Sequence, residues 1–153
     1  MGKTFAKAII AVTFLGIGIG FGGYLFSASL PREFLISEKC QKHCLKPNEI
    51  AGLIASVGIL RVPFLIPGIV MESDTCFAIR HTKPKARIHY VLFPKHDSKN
   101  ITMLTSADIP YVLGCFALAR ELVIKDKLTA YRLHTNGPDF QEIAYLHFHL
   151  IAE

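Results

Sequence analysis

The residues best able to do chemistry stand near the C-terminus, where Tyr145, His147 and His149 occupy every second position. Side chains alternate between the two faces of an extended chain. If 143–151 form one strand, Ile143, Tyr145, His147, His149 and Ile151 share a face. Ala144, Leu146, Phe148 and Leu150 then share the other, which is apolar and suits a core. Neighbours on one face lie about 7 Å apart, twice the strand rise. Two imidazoles and a phenol in such a row can attack, orient and protonate a single ligand, because neutral imidazole is both a usable nucleophile and a usable acid or base near neutral pH. The same row is compatible with a His-x-His metal clip and with a solvated sheet face, and spacing alone does not choose among the three.

The other reactive side chains are four cysteines. Cys40 and Cys44 are spaced to share one face of a helix, and three readings stay open: free thiols, a disulfide in an oxidising compartment, or half of a zinc site completed by His43 or another histidine. Zinc sites more often separate paired cysteines by two residues, and no second pair follows. Cys76 and Cys115 sit in apolar patterns and read as small core residues; four cysteines in 153 residues are not a disulfide scaffold. The formal charge of +5 is spread along the chain, with a modest cluster at Lys83, Lys85 and Arg87. With no basic stripe interleaved with aromatics, duplex nucleic acid is not an expected partner. A mild positive field suits a small phosphorylated ligand or an anionic membrane surface, and serves solubility equally well.

The elements that must position these groups begin with an apolar segment. Lys3 and Lys7 precede an uncharged stretch over 8–31. About 20 helical residues cross the roughly 30 Å hydrocarbon core, so the stretch is long enough to span, and its glycines permit close helix packing. A secretory signal cleaved near Ser27-Ala28-Ser29 is the competing reading; the length of the run favours an uncleaved anchor or signal-anchor over 1–31. Lys3 and Lys7 favour a cytoplasmic N-terminus, partly offset by Arg32 and Lys39, so the expectation is a single-pass protein with its domain on the extracytoplasmic side. Residues 32–71 read as a linker holding the Cys40/Cys44 pair and a second apolar segment, 50–71. Arg61, Pro63, Pro67 and Gly68 interrupt that segment. A central Arg costs about 2.5–3.5 kcal/mol on insertion and prolines break a helix. A short amphipathic or buried helix over 48–60 and a strand from 67 to 71 are therefore expected, with a second span as the alternative.

From residue 72 the pattern is soluble α+β. Strands are predicted at Cys76–Arg80, 88–93, 130–133 and 143–151. Thr105 caps a helix over 105–124, with Asp108 three residues on and Pro110 harmless in the first turn. Ile109, Leu113, Phe116 and Val123 recur at helical spacing and are expected to face the sheet. Asn136-Gly137-Pro138-Asp139 is a turn.

Gln141-Glu142-Ile143-Ala144-Tyr145-Leu146-His147-Phe148-His149-Leu150 resembles the signature strand of the histidine-triad (HIT) family, Gln-x-h-x-His-x-His-x-His-h with h apolar. Upstream, Pro84-Lys85-Ala86-Arg87-Ile88-His89, an apolar strand and Pro94-Lys95 are similar to the family's Pro-x-Ala-x-x-His, strand and Pro-Lys, and Asn136-Gly137-Pro138-Asp139 is similar to its turn. The three stand in family order over about 72–153. The resemblance implies an α+β fold, a HIT-like antiparallel sheet with its main helix at 105–124, here preceded by the N-terminal transmembrane helix. It implies a nucleotide hydrolase acting at the α-phosphate of a phosphoramidate or phosphoanhydride. His147 matches the nucleophile that forms a nucleotidyl-histidine, His149 the group that contacts phosphate and assists the leaving group, and His89 a supporting histidine. Tyr145, Gln141, Asn136 and Thr135 fall at substrate-binding positions. No metal or cofactor is implied; the implied partners are a nucleotide, a membrane through the first helix, and a second copy in a homodimer. The departures are Tyr145 at the first histidine position, a shortened turn in which Phe140 replaces two small residues, and an asparagine replaced by Thr135 or shifted to Asn136. They leave two alternatives: a non-catalytic nucleotide-binding module, or a membrane-tethered metal or thiol protein.

Overall fold

A computed structural model describes residues 2–36 and 44–153, so the expectations for Cys40 and His43 lie outside the described residues. Five antiparallel strands form one sheet: β1 (Ile69–Glu72), β2 (Cys76–Arg80), β3 (Ile88–Pro94), β4 (Tyr131–His134) and β5 (Phe148–Ala152), in the order β1-β2-β3-β5-β4. Among the described residues three α-helices accompany it: α1 (Gly2–Phe26), α2 (Pro47–Arg61) and α3 (Ile109–Lys125). The expected α+β architecture is the observed one.

Alternation in the central strands gives the sheet two apolar faces. Cys76, Ala78, Tyr90, Leu92, Phe148 and Leu150 turn to one face and pack under α3. Phe77, Val91 and Phe93 turn to the other, where Ile59 of α2 joins them. The segment taken as a linker thus supplies a helix that covers part of the second face. Gly52 marks the closest approach: a Cβ there would lie 2.5 Å from the Ala144 carbonyl oxygen, and the Ala144 N–H donates to the Asn48 carbonyl at 2.9 Å. Residues 29–32 are tied down as well. The buried Arg32 guanidinium donates to the Ala144 carbonyl and to both Asp97 carboxylate oxygens, the latter at 2.5 and 2.6 Å. Leu30 N–H reaches the same carboxylate at 2.8 Å.

Three expectations are corrected. First, α3 buries Cys115, Leu118, Ala119 and Leu122, whereas Ile109, Leu113 and Phe116 are exposed. The true buried face is rotated by roughly a third of a turn from the expected stripe. Small residues decide it: Cys115 and Ala119 let the helix close on the sheet, and a Cβ at Gly114 would overlap the Thr75 hydroxyl. Second, Cys76 and Cys115 are buried as expected, but they form a disulfide joining β2 to α3. Cys44 is disulfide-bonded too. Third, the last strand begins at Phe148, not 143. Before it the chain bends, with Tyr145 N–H donating to the Ile143 carbonyl and Leu146 N–H to the Ser98 carbonyl.

The expected helix over 105–124 opens as a separate 3-10 turn, Ser106–Asp108, with Thr105 at its start, and α3 itself begins at Ile109. The Asp108 carboxylate accepts from the Thr105 N–H at 2.8 Å and hydroxyl at 2.7 Å. Among the described residues one helix, Ala6–Phe26, is long and apolar enough to cross a membrane, and none of it is buried inside the chain.

Candidate active-site cleft

The part of the second sheet face that α2 leaves open is a cleft of about 490 Å³. Each histidine reaches it through strand register. β3 sends His89 inward beside Val91 and Phe93; β4 pairs with β5 so that His134 stands opposite His149. His81 continues the inward alternation of Phe77 and Ile79 one step past the end of β2. Five imidazoles therefore line one wall: His81, His89, His134, His147 and His149. His149 is the hub, its ring centroid 4.9 Å from that of His147 and 5.2 Å from those of His89 and His134. Lys83 and Lys85 edge the cleft, and Ile79, Val91, Phe93, Phe140 and Ile143 supply apolar surface.

Hydrogen bonds assign the protons. His147 Nδ1 lies 2.7 Å from the Tyr145 carbonyl oxygen; a carbonyl accepts only, so Nδ1 carries the proton and the Nε2 lone pair is free. His89 Nδ1 accepts from the Lys85 N–H at 3.2 Å, which leaves its proton on Nε2. That proton faces His149 Nδ1 at 3.0 Å, so neutral His149 carries its own proton on Nε2. Asn136 Nδ2 stands 3.4 Å from that nitrogen; exchanging the amide N and O presents an acceptor to the N–H. Side by side, then, the cleft holds an imidazole with a free lone pair and an imidazole with an available N–H.

Burial is the main cause holding all three rings neutral. It lowers the pKa of His149 to about 3, reinforced by His147, His134, His89 and His81. It lowers that of His89 to about 4, with His81, Lys85 and His134 adding repulsion. It lowers that of His147 as well, against the opposing bond to the Tyr145 carbonyl.

Of the residues singled out in the sequence, His147, His149, His89 and Asn136 meet in the cleft. Tyr145, Gln141 and Thr135 are not among the residues that line it. Because the chain bends before β5, the Tyr145 ring is fully buried. Its hydroxyl lies 2.7 Å from the Pro94 carbonyl oxygen and 3.1 Å from that of His96. Burial, then the Asp97 charge, push its pKa up, so it stays a protonated donor. Gln141 is buried and donates to the Lys99 carbonyl. The Thr135 hydroxyl is buried without a partner. His81 and His134 were missed. Alternation past β2 was a usable signal for His81; His134 required knowing the β4–β5 register.

His81, His89 and His149 are also the cluster nearest to metal-binding geometry, their ligand atoms lying within 4.8 Å of one another. Its hydrogen bonds oppose that use. His81 Nδ1 accepts from the Lys83 N–H at 2.9 Å, as His89 Nδ1 does from Lys85, so both neutral rings carry protons on Nε2. Coordination through Nε2 would break both bonds.

Residues 67–153 match the family described as scavenger mRNA decapping enzyme, C-terminal binding. An uncharacterized HIT-like protein of Synechococcus elongatus is 32% identical over 88 residues, spanning 55% of this chain and 76% of that protein. The crystal structure of a HIT family hydrolase from Legionella pneumophila superposes with a TM-score of 0.57 at 25% identity, covering 61% of this chain and 88% of the other. A histidine triad protein from Clostridium difficile shares the fold, with a TM-score of 0.58 at 23% identity over 65% of this chain and 89% of its own.

Proposed function

The chain belongs to the histidine-triad (HIT) family, and from that footing we propose that its cleft binds a nucleotide and hydrolyses it at the α-phosphate through a nucleotidyl-histidine on His147. The observation that carries this reading is the proton arrangement: a free Nε2 lone pair on His147 beside an Nε2–H on His149. In the first step Nε2 of His147 forms a bond to phosphorus as the bond to the leaving group breaks. The leaving group departs with that electron pair and is stabilised by the His149 N–H. Water then attacks phosphorus, the P–N electron pair returns to His147, and the proton released by water ends on the leaving group. His89 is a positioning residue, because its N–H sets the tautomer of His149. Asn136 orients the same ring. The apolar wall of Val91, Phe93 and Ile143 suits a nucleobase, and Lys83 and Lys85 suit phosphate charge.

On the same reading α1 is the membrane anchor and the domain lies on the extracytoplasmic side. Two features support this: the long, apolar and unburied span Ala6–Phe26 of α1, and the Cys76–Cys115 bridge, since disulfides persist in oxidising compartments. The exposed stripe of Ile109, Leu113 and Phe116 on α3 suits the interface of a homodimer.

The test is covalent trapping. The full chain is incubated with an α-labelled nucleoside phosphoramidate and with a labelled dinucleoside polyphosphate, then quenched without acid. Label should appear on the wild type and be absent from His147→Ala, with turnover lower by on the order of 10³–10⁶. Nucleotide binding with neither adduct nor turnover across both substrates would replace this reading with a non-catalytic nucleotide-binding module.

A further inference from the structure

The sequence from Val62 to Met71 contains no charge, and its tightest part, the 3-10 turn Pro63–Leu65, holds two side chains that the fold leaves bare. Phe64 is 81% exposed and Leu65 67%. A paired, uncharged, aromatic and aliphatic protrusion is costly in water and marks a surface that meets something apolar.

Its position says what it meets. The turn starts two residues after Arg61, and Arg61 is bound to the end of α1. The guanidinium lies 4.6 Å from the centroid of the Tyr24 ring, and Nη2 donates to the Ser27 hydroxyl at 2.6 Å. A second tie between the same two regions joins the Ser29 and Ser56 hydroxyls at 2.8 Å. Tyr24 is in the last turn of the candidate span Ala6–Phe26. An aromatic ring with an arginine over it suits the headgroup level of a bilayer. Three extended residues reach at most about 10 Å, so Phe64 stays within about 10 Å of the residue that binds the end of α1, close to the level at which that helix would leave the hydrocarbon.

We propose that the turn Pro63–Leu65 is a second membrane contact, with Phe64 and Leu65 entering the headgroup–acyl boundary of the leaflet from which α1 emerges. This rests on the reading of α1 as a membrane helix. The domain is then docked on the bilayer at two points, not suspended from one. Docking also fixes the attitude of the cleft. Ile66 and Ile69, which follow the turn, pack with Ile59 and Phe93, and Phe93 lines the cleft.

The chain has no tryptophan, so single tryptophans report without background. Phe64→Trp, Phe14→Trp and Phe140→Trp full-length chains are reconstituted in phosphatidylcholine vesicles whose acyl chains carry bromine at shallow or deep carbons. Phe64→Trp should emit at shorter wavelength than a solvated indole and be quenched best by shallow bromine, at a depth of about 5–10 Å. Phe14→Trp, near the middle of α1, should be quenched best by deep bromine. Phe140→Trp, at the cleft mouth, should be solvent-like and unquenched. Adding Leu65→Asp to the Phe64→Trp chain should remove the shallow quenching and leave circular dichroism unchanged. A solvent-like Phe64→Trp in vesicles where Phe14→Trp is quenched overturns the docking and leaves the anchor standing; quenching of neither overturns both. Quenching of Phe140→Trp, or shallow quenching that persists with Leu65→Asp, also overturns it. If Phe64→Trp does not fold, Leu65→Trp takes its place with Phe64→Asp as its counterpart.

Discussion

At the scale of single residues, burial keeps three of the cleft's histidines, His89, His147 and His149, neutral, and this has two consequences for pH. Catalysis as proposed needs neutral His147 and His149, and both have lowered pKa values. The acid limb of kcat should therefore fall below pH 6.5, the ordinary imidazole value; a pH–rate profile that halves near 6.5 would contradict it. Stability should respond in the same range. Unfolded imidazoles take up protons near pH 6.5 while His89 and His149 resist until about 4 and about 3. The unfolded state binds more protons in between, so their contribution to stability is complete above 6.5 and is lost as pH falls through that window. Thermal melting at pH 7.5, 5.5 and 4.5 should show Tm falling in that order. Tyr145 carries a different expectation. With its hydroxyl buried against backbone carbonyls, Tyr145→Phe should cost about 1–3 kcal/mol in urea unfolding, and Tyr145→His should not raise turnover, although it restores the family pattern. The histidine row and its upstream partner were legible in the sequence because alternation and motif order agree. Tyr145 was not, because alternation holds only while the strand is regular, and the chain bends just before Phe148.

At the scale of elements, what the sequence left open was orientation. α3 carries two apolar stripes. Periodicity finds both but cannot say which meets the sheet. The choice rests on Gly114, Cys115 and Ala119, whose small size permits the close approach. The same limit applied to the segment 47–61: a short amphipathic or buried helix is what its residues predict, with a second span as the alternative, but the surface it covers is seen only when Ile59 is found among Phe77, Val91 and Phe93. Strands β2 and β3 were legible almost to the residue, since Pro84, Pro94 and the charged loops bound them. Gly52 makes the packing of α2 testable. A Cβ there meets backbone, the carbonyl group of Ala144, and backbone cannot rotate aside as a side chain can. Gly52→Ala should therefore destabilise by about 1–3 kcal/mol, as overpacking does, despite the higher helix propensity of alanine. Gly58→Ala, on the same helix with nothing within 4 Å of its Cβ, should be neutral or stabilising. Chemical unfolding of the two variants separates packing from propensity.

At the scale of the whole molecule, the chain that leaves α1 is bound to the chain that carries His147. Arg32 links them, its guanidinium held between the Asp97 carboxylate and the carbonyl of Ala144, three residues before His147. Both side chains are almost completely buried. Breaking such a pair from one side leaves an uncompensated charge inside and costs about 3–5 kcal/mol, whereas replacing both partners with apolar residues is often neutral. Arg32→Met alone should therefore lower stability by that amount, and Arg32→Met with Asp97→Leu should recover much of it. Activity should separate from stability. The double variant still lacks the bond to Ala144, so the bend over 144–147 loses a support and the His147 lone pair loses some of its aim. Its kcat should stay depressed, by roughly 10–100-fold as for other lost supporting contacts, while KM changes little, since the apolar wall and lysines are untouched. Unfolding curves and kinetics on the same two variants make the comparison. If kcat recovers along with stability, Arg32 only holds the fold together. If kcat stays low in a chain of restored stability, the segment emerging from the anchor helix is part of what positions the nucleophile.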